Sequence, residues 1–171
     1  GEKSDKLVVV DSIETLKKYT KKSGNRYFVM RHGQSEGNTK PDPEGWGIIN
    51  SKPTNTNHLT ELGKKQVYDA AEKLREEKVD LIVSSDFFRT KETAKIVAEV
   101  FGLSEDSIVI TEKLRELNAG PALEGKHWGD YHALFKNDTE TFFNRPEGGE
   151  SLQEVKRRVM EFVYELEKQY A

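Results

Sequence analysis

The sequence predicts an α/β domain of three layers built on a mostly parallel sheet. Three observations predict it. Short apolar runs at Tyr27–Met30, Val79–Val83 and Ser107–Thr111 have the length and the side-chain types of strands. Stretches with apolar residues at helical spacing alternate with them, over Leu62–Leu74, Thr93–Phe101 and Leu152–Leu166. The length of 171 residues suits one domain with a hydrophobic core.

The elements follow in order. Leu7–Val10 reads as a short strand, and Asp11 as an N-cap with Glu14 as its capping-box partner. Ile13, Leu16 and Tyr19 continue at helical spacing until Ser23-Gly24-Asn25 closes the unit. Residues 1–24 are thus expected to form an N-terminal extension or linker with a short helix, and residues 25–171 the main domain. Tyr27-Phe28-Val29-Met30 is expected to be a buried strand, delivering Arg31-His32-Gly33-Gln34-Ser35-Glu36-Gly37-Asn38 at its carboxyl end. Open α/β sheets bind their ligands there. An imidazole beside a guanidinium suits an oxyanion, above all phosphate. Arg31 offers it a bidentate fork, a neutral His32 can attack phosphorus, and Ser35 and Asn38 offer further polar contacts.

The Pro-, Gly- and Asn-rich stretch from Thr39 to Asn57 reads as a long loop walling the site, with Trp46 and Ile48-Ile49 either pinning it to the body or contacting substrate, of which pinning is the role that large apolar side chains usually take. Thr60 caps a helix expected to run to about Lys78, with Leu62, Val67, Ala70, Ala71 and Leu74 on its apolar face. A strand over Val79–Val83 leads through Ser84–Thr90 into a helix whose inner face carries Thr93, Ala94, Ile96, Val97, Val100 and Phe101. Arg89 stands at the start of that helix, where main-chain N–H groups favour an anion. Ser107–Thr111 is expected to be an edge strand. His127–Phe135 reads as a short amphipathic helix, in which His127, Asp130 and His132 do not stack on one face as a metal cluster would; they read as packing or surface residues. Ser151 is the N-cap of a last helix carrying Leu152, Val155, Val159, Phe162, Val163 and Leu166 inward.

Composition removes several chemistries. The net charge is −3 with no basic block, which argues against nucleic acid as substrate. No apolar run reaches the length of a membrane span. With no cysteine there is no disulfide framework, no thiolate zinc site and no cysteine nucleophile. A cytoplasmic location is compatible with all of this.

The stretch Arg31–Asn38 resembles the signature of the histidine phosphatase superfamily, the phosphoglycerate-mutase-like proteins, Arg-His-Gly-(Glu/Gln)-(Ser/Thr)-x-x-Asn. Leu59-Thr60-Glu61-Leu62-Gly63 resembles the family's Leu-Thr-x-x-Gly, and Ser84–Ala94 its Ser-Ser-x-x-x-Arg segment. Leu114–Gly120 with Glu124-Gly125 is similar to its Leu-x-Glu-x-x-x-Gly and Glu-Gly, Pro121 lengthening the spacing slightly. Pro146-Glu147-Gly148-Gly149-Glu150-Ser151 is similar to its Pro-x-Gly-Gly-Glu-Ser.

The resemblance implies a metal-independent phosphatase that needs no cofactor. His32 would become phosphorylated, Arg31 and Arg89 would hold the phosphoryl oxygens, Ser35 and Asn38 would assist, and Glu116 would protonate the leaving group. A small phosphorylated molecule is the implied substrate, with no direct nucleic-acid contact and no membrane. A phosphoglycerate-type mutase would use the same residues. The family's further C-terminal strand and its second catalytic His have no counterpart among His58, His127 and His132. The sequence therefore resembles the enzyme fold truncated at its C-terminus. A second copy, or the rest of a larger chain, would supply the missing strand. A non-catalytic phosphate-binding or accessory domain is the alternative reading. Val10–Lys18 resembles a segment of isoleucyl-tRNA synthetases, which would make the chain an insert in such a parent.

Overall fold

A computed structural model of the chain describes residues 25–40, 47–53 and 56–170. The expected strand at Leu7–Val10, the helix after Asp11, the boundary at residue 24, the synthetase-like segment and Trp46 all lie outside the described residues.

The α/β class with a parallel sheet is borne out by one β–α–β unit. Strand β1 (Val83–Ser84) pairs in parallel with β2 (Val109–Ile110), Val83 opposite Val109, and helix α2 (Phe88–Phe101) makes the crossover between them. Val109 N–H donates to the Ile82 carbonyl at 2.9 Å and Thr111 N–H to that of Ser84 at 2.9 Å. Helix α1 (Glu61–Lys73) precedes this unit; short helices α3 (Trp128–His132) and α4 (Asp138–Phe143) and the long α5 (Leu152–Tyr170) follow it. No helix of the described residues is long and apolar enough to cross a membrane.

The sheet is smaller than the apolar runs imply, and the largest correction is at Tyr27–Met30. That segment is neither a strand nor buried: Val29 is 99% exposed and Phe28 42%. A strand forms only where a second chain segment satisfies its N–H and C=O groups, and none of the described residues pairs with this one. Side chains tether it instead. The Tyr27 phenol donates to buried Glu167 of α5, Arg26 pairs with Glu77, and the Arg26 guanidinium lies 4.9 Å over the Phe28 ring. Burial and the Glu167 carboxylate push the Tyr27 phenol up to about 12.

Smaller corrections share a cause: apolar spacing does not tell where a helix loses its neighbours. Helix α1 stops at Lys73 rather than Lys78, closed by the Leu74 N–H bonding back to the Ala71 carbonyl, and Leu62 is 53% exposed in its first turn. Helix α3 ends at His132, leaving Leu134 outside and 54% exposed. Leu152 also faces outward at the start of α5, whereas Phe162 is buried.

The core is built where the sequence reads as loop. Ile49, fully buried, packs with Leu117, Ala119, Leu123 and Tyr131, and Trp128, Phe135 and Val155 lie against them. Burying one such side chain contributes about 1.5–3 kcal/mol, enough to fix a short stretch of loop. Hydrogen bonds complete the anchor. Ile49 N–H donates to the Lys126 carbonyl at 2.8 Å, Gly125 N–H to that of Ile49 at 3.0 Å, and Ser51 N–H and Oγ–H both donate to Glu124. Pinning by Ile49 is therefore borne out.

The signature turn sits on the N-terminus of α1. Thr60 accepts from Gly63 N–H as N-cap, its own N–H donates to the Gln34 carbonyl at 3.0 Å, and Ser35 bridges Leu59 in antiparallel fashion. Backbone meets backbone at two glycines: a Cβ on Gly63 would lie 2.0 Å from the Gln34 carbonyl oxygen, and one on Gly33 2.3 Å from that of Gly63. Gly63→Ala is therefore expected to cost at least about 1–3 kcal/mol of stability by overpacking. Urea denaturation checks this; an unchanged midpoint would contradict the close approach.

Candidate active site

Six residues singled out from the sequence converge on one cleft: Arg31, His32, Ser35, Asn38, Arg89 and Glu116 all line it. It takes in about 290 Å³, part of it open solvent. Arg31 is exposed at its rim, while Arg89 at its base is 3% exposed.

His32 is held in a defined tautomer. Its Nδ1 lies 2.7 Å from the Gly33 carbonyl oxygen, which can only accept, so Nδ1 carries the proton. Its Nε2 accepts from Arg89 Nε–H at 3.3 Å, so the lone pair faces the cleft and the arginine. Burial lowers the imidazole below its ordinary value of 6.5; the Gly33 carbonyl opposes this, and the Arg89 and Arg31 cations add to it. The ring is thus neutral at pH 7 with Nε2 unprotonated.

Arg89 is the hub. It is the second residue of α2, and its guanidinium stacks 4.6 Å over the Phe87 ring. Besides His32, it donates from Nη2 to the Asn50 carbonyl at 3.2 Å and to Glu116 Oε2 at 2.7 Å. The two members of the ion pair differ in exposure: the Arg89 side chain is 4% exposed and the Glu116 side chain 44%. The arginine is fixed, while the carboxylate reaches in from the solvent side.

Two clamps position the Glu116 loop. Arg115 donates from Nε to Asp86 Oδ1 at 2.8 Å, tying the loop to the turn that begins α2, and holds the Asp86 carboxyl below its usual range. From α5, Arg158 donates to the carbonyls of Lys113 at 2.8 Å and Glu116 at 3.2 Å and pairs with Glu150. Despite burial, which acts the other way, Arg158 and the Asn118 N–H hold the Glu150 carboxyl below its usual range. The Pro146–Ser151 turn belongs to this clamp. Glu150 N–H donates to the Asn118 carbonyl at 2.8 Å, and a Cβ on Gly149 would lie 2.6 Å from that oxygen. The turn lines none of the cleft; it docks the Glu116 loop and caps α5, where Ser151 and Glu154 form a reciprocal box.

Ser35 and Asn38 prove to be partners of each other. Asn38 Oδ1 accepts from Ser35 N–H and Oγ–H, both at 3.0 Å, closing the 3₁₀ turn over Glu36–Thr39. Ile48, read as pinning the loop or contacting substrate, lines the cleft. Sequence reasoning missed Asn50, Asn57 and Trp128, which also line it. The two asparagines lie in the loop expected to wall it, but composition does not tell which loop side chains turn inward. Trp128 does both jobs, packing on the core and facing the cleft.

Among the described residues no group of three or more His, Asp or Glu could hold a metal ion. His127 lies at the N-cap of α3, and His132 is exposed.

Comparison with known proteins accords with this geometry. The model of the histidine phosphatase superfamily, branch 1, matches residues 27–171. The chain belongs to that superfamily. A probable phosphoglycerate mutase, GpmB, of Yersinia enterocolitica is 31% identical over 137 residues, covering 77% of this chain and 58% of that protein. A mycobacterial glucosyl-3-phosphoglycerate phosphatase structure superposes with a TM-score of 0.64 at 29% identity, over 81% of this chain and 62% of the other. The alpha-ribazole phosphatase from Shigella flexneri, 22% identical with a TM-score of 0.61 over 82% of this chain and 66% of the other, shares the superfamily's fold. The chain thus spans 58% of the curated mutase and 62% of the solved mycobacterial phosphatase.

Proposed function

We propose that the chain hydrolyses a small phosphomonoester through a phosphohistidine on His32. The observation that carries the reading is the tautomer of His32, with Nδ1–H tied to Gly33 and a neutral Nε2 facing Arg89. Arg31 and Arg89 engage the phosphoryl oxygens, and Ser35 and Asn38 keep the signature turn in shape around them. Nε2 attacks phosphorus as the P–O bond to the leaving group breaks, and Glu116, released from Arg89 by the entering phosphoryl group and carrying a proton in the reacting complex, gives that proton to the departing oxygen. Water then attacks the phosphohistidine, Glu116 takes up its proton, and inorganic phosphate leaves with His32 neutral again. Every step is served by side chains already lining the cleft.

The likeness to a probable phosphoglycerate mutase favours a second reading, in which a hydroxyl of the substrate takes water's place in the second step. Product analysis separates the two, since hydrolysis releases inorganic phosphate and a mutase returns an isomeric ester.

The pH dependence follows from His32. Attack needs the neutral ring, and burial with two nearby arginines lowers its protonation below the ordinary 6.5. The acid limb of kcat/KM for an aryl phosphate is therefore expected below pH 6.5. An acid limb assigned to His32 above 6.5 would contradict the geometry.

A further inference from the structure

Among the described residues, Asn57 carries a hydrogen-bond donor at the cleft with no protein acceptor. The residue is only 6% exposed and lines the same cavity as His32 and Arg89. Its Oδ1 accepts from the Gly37 N–H at 2.8 Å. That contact fixes the amide, because turning it over would set Nδ2 against a main-chain donor. Among the described residues no hydrogen bond runs from Nδ2, and the residue as a whole is held in place by its burial. An amide held in this orientation in the cleft wall leaves Nδ2 available to an acceptor that arrives from outside the chain.

Its neighbours differ. Asn50 spends its Nδ2 on the Ile48 carbonyl at 3.0 Å, and Asn38 serves the 3₁₀ turn. Gly37 brings the amides close to the signature turn: a Cβ there would lie 2.5 Å from Asn50 Nδ2 and 2.9 Å from Asn57 Nδ2, so both side chains would have to shift. The ligand chemistry follows from the cleft. With Arg31 and Arg89 around it, the occupant is anionic, and an amide nitrogen can only donate, so it meets an oxygen with free lone pairs.

We propose that Asn57 Nδ2 donates to a non-bridging oxygen of the bound phosphoryl group, as a neutral third donor beside the two arginines. This rests on the reading of the cleft as a phosphomonoester site. It makes Asn57 a binding residue of the phosphoryl group, so inorganic phosphate alone suffices as probe.

Inorganic phosphate is titrated against the full chain and against Asn57→Asp, which keeps the acceptor for Gly37 and loses the donor, and the neutral Asn57→Leu. Phosphate is expected to bind at least about tenfold more weakly to both, the neutral variant separating donor loss from charge repulsion. In the unsubstituted chain the Asn57 side-chain amide proton resonances are expected to shift on adding phosphate, a readout that needs no variant to fold. Undiminished binding in folded variants, or amide resonances that stay put while phosphate binds, would overturn the proposal and leave the phosphatase reading standing. Failure of the unsubstituted chain to bind phosphate would overturn both.

Discussion

His32→Ala is expected to reduce turnover of an aryl phosphate by about 10⁴-fold or more while leaving the fold intact, as loss of a covalent nucleophile does. The fold survives because, among the described residues, the imidazole makes two hydrogen bonds, one to its own neighbour's carbonyl and one from Arg89. The signature turn keeps its main-chain contacts to Leu59 and Thr60 and its glycine packing on Gly63. Steady-state kinetics with purified variant, alongside its thermal midpoint, check both halves. Phosphate binding is expected to persist, because Arg31 and Arg89 remain. A loss of fold rather than of chemistry would show that the ring is a structural prop.

Arg89→Ala is expected to damage both activity and stability. The guanidinium is the common partner of His32, Glu116, the Asn50 carbonyl and the Phe87 ring. Without it the half-buried Asn50 carbonyl and the Glu116 carboxylate lose a donor, which costs about 1 kcal/mol of stability. Removing a positioned charge from the phosphoryl group costs about 10²–10³ in kcat. Arg89→Lys rescues little, since one ammonium does not reach His32, Glu116 and Asn50 from one planar fork. Urea denaturation and kinetics on both variants check this, and near-normal activity in Arg89→Lys would show that charge alone suffices.

Legibility from sequence follows the range of the contacts. Arg31 to Asn38 could be read directly, because the side chains that make the site there are neighbours in one tight turn. Arg89 and Glu116 could be read through segments whose residue types match a known family, although nothing local brings them to 2.7 Å of each other. That pairing depends on the Arg115–Asp86 and Arg158 clamps, which join segments 29 and 42 residues apart. Asn57 escaped notice for the same reason. Its orientation is set by Gly37, 20 residues away, and a loop rich in asparagine does not show which amide turns inward. Tyr27–Met30 failed in the opposite direction. Apolar side chains state a preference for burial, but the ladder partner that would grant it is not encoded within those four residues. Pro146–Ser151 read correctly as a turn and helix cap, yet its docking on the Glu116 loop needed Gly149 and Asn118 in contact.

Hydrolysis through His32 requires a covalent intermediate on one nitrogen of one histidine. Rapid quench at alkaline pH during turnover, followed by peptide mapping and phosphorus NMR, would detect it. A phosphoryl group on His32 at Nε2 is expected, because Nδ1 is committed to the Gly33 carbonyl at 2.7 Å. Turnover with the label on Nδ1, on another residue, or on no residue at all would contradict it.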